Sequence, residues 1–118
     1  MVGLLSEDVS YEVFVPSPQR VGRDAVRAEL ERQNATATGI LPGSEIRNIA
    51  SNDHAVFTER IEVTEMAGKP LRLHINGVFE VDDGKIVAWR EYYDTGNVAS
   101  QLGIDVHDIV QWMELPTR

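Results

Sequence analysis

Two short acidic segments, roughly thirty residues apart, carry the residue types that acid–base chemistry requires. The first is Thr58-Glu59-Arg60-Ile61-Glu62-Val63 and the second is Trp89-Arg90-Glu91-Tyr92-Tyr93-Asp94. Residues two apart in a strand point to the same face, so Arg60 shares a face with Glu62. Two carboxyls held by one fixed cation can differ in proton affinity, as an acid and a base must. We therefore predict that Arg60 contacts both Glu62 and Glu91 in one site.

A plainer interpretation of the first segment is a half-exposed strand. Phe57, Ile61 and Val63 share one face of it, and Arg60 and Glu62 share the other, as core and solvent faces do in many antiparallel sheets. Arg60 and Glu62 would then form a surface ion pair, which contributes little to stability. The periodicity of this strand alone favours that interpretation.

Apolar and aromatic residues near the second segment predict the wall of a pocket. Glu91 lies between Trp89 and Tyr93 on one strand face, and a carboxyl flanked by two aromatic side chains is more typical of a pocket than of open water. Leu73 and Ile75 alternate on the preceding strand, where they form either core or the apolar wall of a pocket. We therefore expect a small apolar ligand or substrate.

The composition limits the class of protein. A length of 118 residues predicts one domain over residues 1–118. The formal net charge of −8 disfavours nucleic acid and anionic membranes as partners, since both are bound mainly through lysine and arginine. No apolar run reaches the length of a membrane span, and no basic segment with a signal-peptide core follows Met1. The cytoplasm is the expected location.

Residues that hold metals or do redox chemistry are scarce. The chain has no cysteine, which excludes disulfides and thiolate chemistry. His54, His74 and His107 are scattered without the spacing of metal ligands. We expect no metal site.

The pattern along the chain predicts an α+β fold with a sheet in its second half. Asp82-Asp83-Gly84 is a strong hairpin signal, because glycine accepts the positive φ of a tight turn. The last three strands are therefore expected to form an antiparallel meander. The predicted elements are a strand over 9–15, a helix from Gly22 to about Gln33, and strands over 45–50, 55–65, 71–81 and 85–93.

Helical segments are also predicted at both ends. Leu4 and Leu5, ahead of an acidic turn, look like the last turn of a helix. Asp105 to Glu114 is predicted as a closing helix, since its apolar residues recur at helical spacing. Those apolar residues are Val106, Ile109, Val110 and Met113.

The order of elements resembles the nuclear transport factor 2-like fold, a cone of curved sheet around a deep pocket. More narrowly, the chain is similar to limonene-1,2-epoxide hydrolase and its SnoaL-like polyketide cyclase relatives over roughly residues 4 to 95. The matching motifs are Ser6-Glu7-Asp8-Val9-Ser10-Tyr11, Val21-Gly22-Arg23-Asp24-Ala25-Val26, Glu59-Arg60-Ile61-Glu62, Gly77-Val78-Phe79 and Trp89-Arg90-Glu91-Tyr92-Tyr93-Asp94.

The resemblance implies an enzyme that opens an epoxide in one step without a cofactor. That family uses an Asp-Arg-Asp triad, and by motif Arg60 is the bridging arginine, Glu62 the general acid and Glu91 the general base. Its Tyr-x-Asn pair on the first strand holds the attacking water. Tyr11 matches that tyrosine, whereas Val13 stands at the asparagine position and is expected on the substrate side. Both triad aspartates are glutamates in this chain.

The ends of the chain bear on assembly. The family normally opens with a long helix that covers the sheet, and this chain begins where that helix has finished. We expect Asp105–Glu114 to cover the sheet instead, from the same chain or from a partner subunit. The apolar outer stripe of Phe57, Ile61 and Val63 predicts a homodimer.

Other functions fit the same expected fold, because fold does not fix function. One is a different reaction in the same cone, such as an aldol-type cyclisation or a ketosteroid isomerase-like proton shuttle that uses one of the same carboxyls. Another is a pocket that binds an apolar ligand without turnover. A third is an interaction module in which the fold serves only dimerisation.

Overall fold

A sheet of six strands organises the chain in the computed structural model, which describes residues 2–13, 19–36, 41–66 and 68–108. The order across the sheet is β2-β1-β6-β5-β4-β3, with β1 parallel to β6 and the other neighbours antiparallel. The α+β class and the meander of the last three strands are confirmed. The strands are β1 (Leu5–Val13), β2 (Arg20–Val21), β3 (Glu45–Ser51), β4 (Ala55–Met66), β5 (Lys69–Asp82) and β6 (Lys85–Tyr92).

Two α-helices pack against this sheet. Helix α1 (Arg23–Thr36) follows β2 and agrees with the predicted helix, which it extends by three residues beyond Gln33. Helix α2 (Thr95–Leu102) follows β6 and was not predicted. Short 3-10 helices cover Val2–Leu4 and Val106–Asp108.

The Gly-Arg motif before α1 fixes the helix to the first strand. Gly22 has a φ of 97°, which favours glycine, and its N–H donates to the Val9 carbonyl at 2.7 Å. Arg23 donates from Nε and Nη2 to the Leu5 carbonyl at 3.1 and 2.8 Å. This motif therefore supports the fold and takes no part in the chemistry described below.

The turn between β5 and β6 has the geometry that its sequence predicts. Asp83 and Gly84 both have positive φ, at 49° and 74°. Two successive positive φ values suit a two-residue hairpin, and the turn aligns Asp82 with Lys85 at its base. The pairing shifts by one residue between Glu80 and Val81, and this irregularity brings Glu91, and not Arg90, opposite Gly77 farther along the hairpin.

Among the described residues, the hydrophobic core consists of two clusters. The first lies between β1, β6 and α1, and the second lies between β5 and α2. The first cluster contains Leu5, Val9, Tyr11, Val13, Val26 and Trp89, and the second contains Leu71, Val98, Ala99 and Leu102.

Two expectations for the start of the chain need correction, and a third, for the last helix, falls mostly outside the described residues. Leu5 is the buried first residue of β1, not the end of a helix, because its side chain joins the first core cluster. The first strand therefore begins four residues earlier than predicted, and residues 14 and 15 lie outside the described residues. Of the predicted helix over Asp105–Glu114, the described part contains only the 3-10 turn Val106–Asp108, and the rest lies outside them.

Helix α2 covers part of the sheet with apolar side chains. Val98, Ala99 and Leu102 pack on Leu71 of the sheet. At its start, Asp94 Oδ1 accepts from the N–H groups of Gly96 and Asn97. At its end, Gly103 takes a left-handed conformation with a φ of 71°. These two caps were the sequence signal for α2.

We expect Asp94→Ala to lower the free energy of unfolding by about 1 kcal/mol, because two helix N–H groups lose their acceptor. Thermal or urea unfolding measures this loss. Asp94→Asn is the matched control, since its side-chain oxygen keeps the cap. Equal stability of Asp94→Ala and the wild-type protein would contradict a capping role.

The predicted outer stripe is only partly exposed. Phe57 is exposed, but Ile61 is 1% exposed and Val63 is half-buried. Ile61 thus already belongs to the interior of the chain and offers no area to a partner. The stripe as predicted is wrong in this respect.

Candidate active site

The register of the sheet places the predicted site residues on one face. Thr58 of β4 pairs with Gly77 of β5, which pairs with Glu91 of β6. Val13 of β1 pairs with Glu91 from the other side. Because pairs lie side by side across a sheet, these four residues form a row that runs through the middle of it.

The Arg60 guanidinium bridges both carboxylates, as predicted. Its Nε donates to Glu62 Oε1 at 3.0 Å, and its Nη1 donates to Glu91 Oε2 at 2.9 Å. Arg60 Nη2 also donates to Glu91 Oε1, so the contact with Glu91 is bidentate. This geometry is the one in which a guanidinium binds a carboxylate most strongly. The Arg60 and Glu62 side chains are 15% and 26% exposed, so they are more buried than the solvated pair of the plainer interpretation.

The two carboxylates differ in environment. The Glu91 side chain is 7% exposed and the Glu62 side chain 26%. Burial raises the pKa of Glu91 above its ordinary value, and the contacts with Arg60 oppose that effect. Burial alone would lower the pKa of Arg60, but its contacts with Glu91 and Glu62 outweigh burial and raise it. Arg60 is thus a permanent cation between two carboxyls with different surroundings.

Tyr11 lies against the same site on β1. Its ring packs against Trp89 in a tilted arrangement with centroids 4.5 Å apart, and its oxygen accepts a hydrogen bond from Gln33 Nε2 at 3.3 Å. Burial raises the pKa of Tyr11 to about 12. The Tyr11 hydroxyl therefore keeps its proton and can donate a hydrogen bond at any ordinary pH.

Two buried polar atoms at the site have no hydrogen-bond partner among the described residues. They are Thr58 Oγ1 and the indole nitrogen Trp89 Nε1. The Trp89 indole lies close enough to Glu91 to lower the pKa of that carboxyl, but its N–H does not complete a hydrogen bond to it. Buried polar groups of this kind usually bind a water or a ligand. The site thus offers two donors beside the carboxylates.

Gly77 makes room for the contact between Arg60 and Glu91. A Cβ on Gly77 would lie 2.8 Å from Glu91 Oε2, 2.9 Å from Arg60 Nη1 and 2.9 Å from Thr58 Oγ1. Real Cβ contacts are longer than these, so any larger residue at this position has to displace the polar groups. Those groups are the ends of flexible side chains, and we expect the fold to survive the change.

Gly77→Ala is therefore expected to damage the site and spare the fold. An activity that depends on Arg60 and Glu91 should fall about a hundredfold, the scale of a misplacement near 1 Å. Steady-state kinetics and a melting curve of the same sample separate the two effects. Gly3→Ala is the matched control, since a Cβ there meets nothing within 4 Å. Unchanged kinetics in Gly77→Ala would contradict the importance of this contact.

The residues predicted as a substrate-binding wall surround these polar groups. Ile75 pairs with Arg60 and Leu73 pairs with Glu62, so both side chains share the face of the site. Trp89 is buried in the first core cluster, whereas Tyr93 contacts both clusters. A cavity of about 230 Å³ next to them is lined by Leu73, His74, Tyr93, Asp94, Asn97 and Val98.

A metal site needs several ligand side chains together, and a membrane span needs a long apolar helix. The described ranges contain no group of three or more histidine, cysteine or acidic side chains that could hold a metal ion. They also contain no helix that is long and apolar enough to cross a membrane. The ionisable groups gathered at the site are Arg60, Glu62, Glu91 and Tyr11.

Three residues near the site were missed by the sequence reasoning. Thr58 belongs to the predicted polar strand face, so its alternation with Arg60 was a usable signal. Gly77 opens the Gly77-Val78-Phe79 motif, but only the pairing of β4, β5 and β6 shows why this residue must be small. Gln33 gave no signal, because its contact with Tyr11 spans 22 residues.

Comparison with solved structures defines the class of fold. A Catenulispora acidiphila protein with a ketosteroid isomerase-like fold, solved with trimethylamine, aligns with a TM-score of 0.80 and 17% identity, over 90% of this chain and 82% of that one. An LEH-like epoxide hydrolase of Mycobacterium tuberculosis aligns with a TM-score of 0.72 and 28% identity, over 92% of this chain and 79% of that one. The chain therefore has the cone-shaped nuclear transport factor 2-like fold.

Sequence comparison narrows the class to one family. Residues 2–103 match the model of the limonene-1,2-epoxide hydrolase catalytic domain. Epoxide hydrolase EphG of Mycobacterium tuberculosis is 32% identical over 90 residues, which cover 76% of this chain and 58% of that protein. The chain belongs to the limonene-1,2-epoxide hydrolase family.

Proposed function

We propose that this chain hydrolyses a small apolar epoxide by adding water in one step, without a cofactor. The observation that carries the proposal is the Arg60 guanidinium bonded to both Glu62 and Glu91 on the face of the sheet that also carries Leu73 and Ile75. Family membership and the identity with EphG support the same reaction class. The remaining proposals concern the roles of the residues.

Glu91 takes the role of general base. Both of its oxygens accept from Arg60, and this bidentate contact favours the ionised form against the effect of burial. Glu91 removes a proton from a water molecule as the water oxygen bonds to a ring carbon. As the pH is lowered, Glu91 takes up a proton and can no longer act as a base, so the rate falls. Because burial raises the pKa of Glu91, this fall should begin at a higher pH than for an ordinary glutamate.

Glu62 takes the role of general acid. Only its Oε1 contacts Arg60, which leaves Oε2 to carry a proton. As the ring C–O bond breaks, that proton moves to the epoxide oxygen and the product is a diol. After ring opening, Glu62 has lost its proton and Glu91 holds the proton taken from water. Glu62 is the more exposed carboxyl, so it regains a proton from solvent, and Glu91 releases its proton before the next turnover.

A direct test is the conversion of small apolar epoxides to diols by the wild-type protein. We expect turnover well above the spontaneous rate without added metal or cofactor. Glu59→Gln is a suitable control, since Glu59 lies on the same strand but is exposed on the opposite face. The proposal fails if none of a series of small apolar epoxides is converted.

A second candidate function is reversible binding of an apolar ligand or a different proton transfer, such as cyclisation or isomerisation. Val13 is the observation that favours this alternative, because it is buried beside Glu91 and cannot hydrogen-bond a water molecule. A ligand that binds tightly while no epoxide is converted would support it.

A homodimer and a cytoplasmic location stay predictions. The exposed apolar side chain on the predicted outer face that a partner would cover is Phe57, whereas Ile46 and Ile49 of the edge strand β3 are exposed on the face that bears Arg60. Covering such side chains is a common reason for self-association. Light scattering at micromolar concentration should return twice the mass of the chain, and a monomer would contradict the dimer.

A further inference from the structure

A second buried polar cluster lies on the helix side of Tyr11, and the proposed chemistry does not use it. Glu29 and Arg32 of α1 are 3% and 7% exposed. Arg32 donates to Glu29 through Nε at 2.9 Å and Nη2 at 2.6 Å, and Arg20 of β2 donates at 3.2 Å. Buried ion pairs seldom stabilise a fold more than apolar residues would. Positioning of a neighbouring group explains this cluster better than stability does.

Gln33 connects this cluster to Tyr11. Its Nε2 donates to Glu29 Oε1 and to the Tyr11 oxygen, both at 3.3 Å. Burial tends to raise the pKa of Glu29, but the contacts with Arg32 and the other neighbours outweigh it and lower the pKa. Glu29 is therefore ionised and can only accept hydrogen bonds. The amino group of Gln33, and not its carbonyl, must face Glu29 and Tyr11.

This orientation decides what the Tyr11 hydroxyl does. Its oxygen already accepts from Gln33, so its single hydrogen points away from Gln33. Tyr11 pairs with Trp89, which shares a strand face with Glu91, and the charges of Glu91 and Arg60 act on Tyr11 from the site. The hydrogen is thus available to a molecule bound beside Glu91.

We propose that Gln33 is a positioning residue that holds the Tyr11 hydroxyl as a donor to the attacking water. The inference rests on the proposed function. A water that accepts from Tyr11 and donates to Glu91 keeps a lone pair for the epoxide carbon. Val13, which is buried and pairs with Glu91, offers no hydrogen-bonding group to that water. The amide of Gln33 therefore acts on the water only through Tyr11.

A double-mutant cycle tests this inference. Gln33→Leu and Tyr11→Phe should each lower kcat/KM for an apolar epoxide roughly tenfold, the scale of one lost hydrogen bond. The double variant should be no slower than Tyr11→Phe, because Gln33 acts only through that hydroxyl. Gln19→Leu, at an exposed position, is the control for the change of side chain. Losses that multiply in the double variant, or no loss in Gln33→Leu, would overturn the proposal.

A nuclear magnetic resonance measurement on Tyr11 tests the same contact without depending on turnover. The ring carbon that bears the Tyr11 hydroxyl can be labelled with carbon-13 and assigned with Tyr11→Phe. Gln33→Leu removes the hydrogen bond to the Tyr11 oxygen, so the chemical shift of this carbon should change at neutral pH, whereas Gln19→Leu should leave it unchanged. An unchanged chemical shift in Gln33→Leu would overturn the proposed contact. If the wild-type protein converts no epoxide, the proposed function fails, and this chemical shift alone decides whether Gln33 acts on Tyr11.

Discussion

Glu91→Gln should abolish epoxide hydrolysis while the protein stays folded. The amide cannot take a proton from water, and losing a general base typically costs about 10²–10⁴-fold in rate. Arg60 keeps its contact with Glu62, so we expect the melting temperature to change little. The measurement is kcat for diol formation by the variant beside its thermal unfolding curve.

Two controls belong with this variant. Glu62→Gln should lose activity as well, because the amide has no acidic proton for the ring oxygen. Glu59→Gln, on the opposite strand face, should retain wild-type kinetics. Glu91→Gln that is fully active would exclude Glu91 as the base, whatever the other variants do.

Arg60→Met should destabilise the protein by about 3–5 kcal/mol at neutral pH, because it leaves a buried carboxylate without its cation. The loss should depend on pH. Without Arg60, burial raises the folded-state pKa of Glu91 still further above its unfolded value. Stability is then fully present below the unfolded pKa and is lost as pH rises through the folded pKa. Urea unfolding across that range measures the effect.

Arg90→Met is the matched control for this variant. Arg90 pairs with Glu80, and both side chains are more exposed than Arg60 and Glu91. An exposed pair of this kind is worth at most about 1 kcal/mol. Equal losses in the two variants, or a loss in Arg60→Met that does not change with pH, would contradict a buried and costly Glu91.

Much of the sheet could be predicted, because alternation and turn residues are local signals. The Asp83-Gly84 turn and the long apolar-polar alternation of β4 and β5 located three strands to within two residues. Helix α2 was missed since only eight residues form it, and its caps at Asp94 and Gly103 are weaker signals than periodicity. The parallel pairing of β1 with β6 joins distant segments, which no local pattern specifies.

The site could be predicted only as far as strand faces and the family motif allow. Alternation placed Arg60 with Glu62, and the resemblance added Glu91 and Tyr11. The convergence of β4 and β6 on either side of Gly77 depends on register across three strands. The contact of Gln33 with Tyr11 depends on how α1 packs on β1, and this packing has no signature in the spacing of either residue.

A single turnover in oxygen-18 water tests the central claim most directly. With enzyme in excess over an apolar epoxide, direct attack by water predicts one labelled oxygen in the diol and no label in the protein. Attack by a carboxylate would instead give an unlabelled diol in the first turnover and put the label into Glu91 or Glu62 as the ester is hydrolysed. That second pattern would contradict the role of Glu91 as a base and of water as the nucleophile.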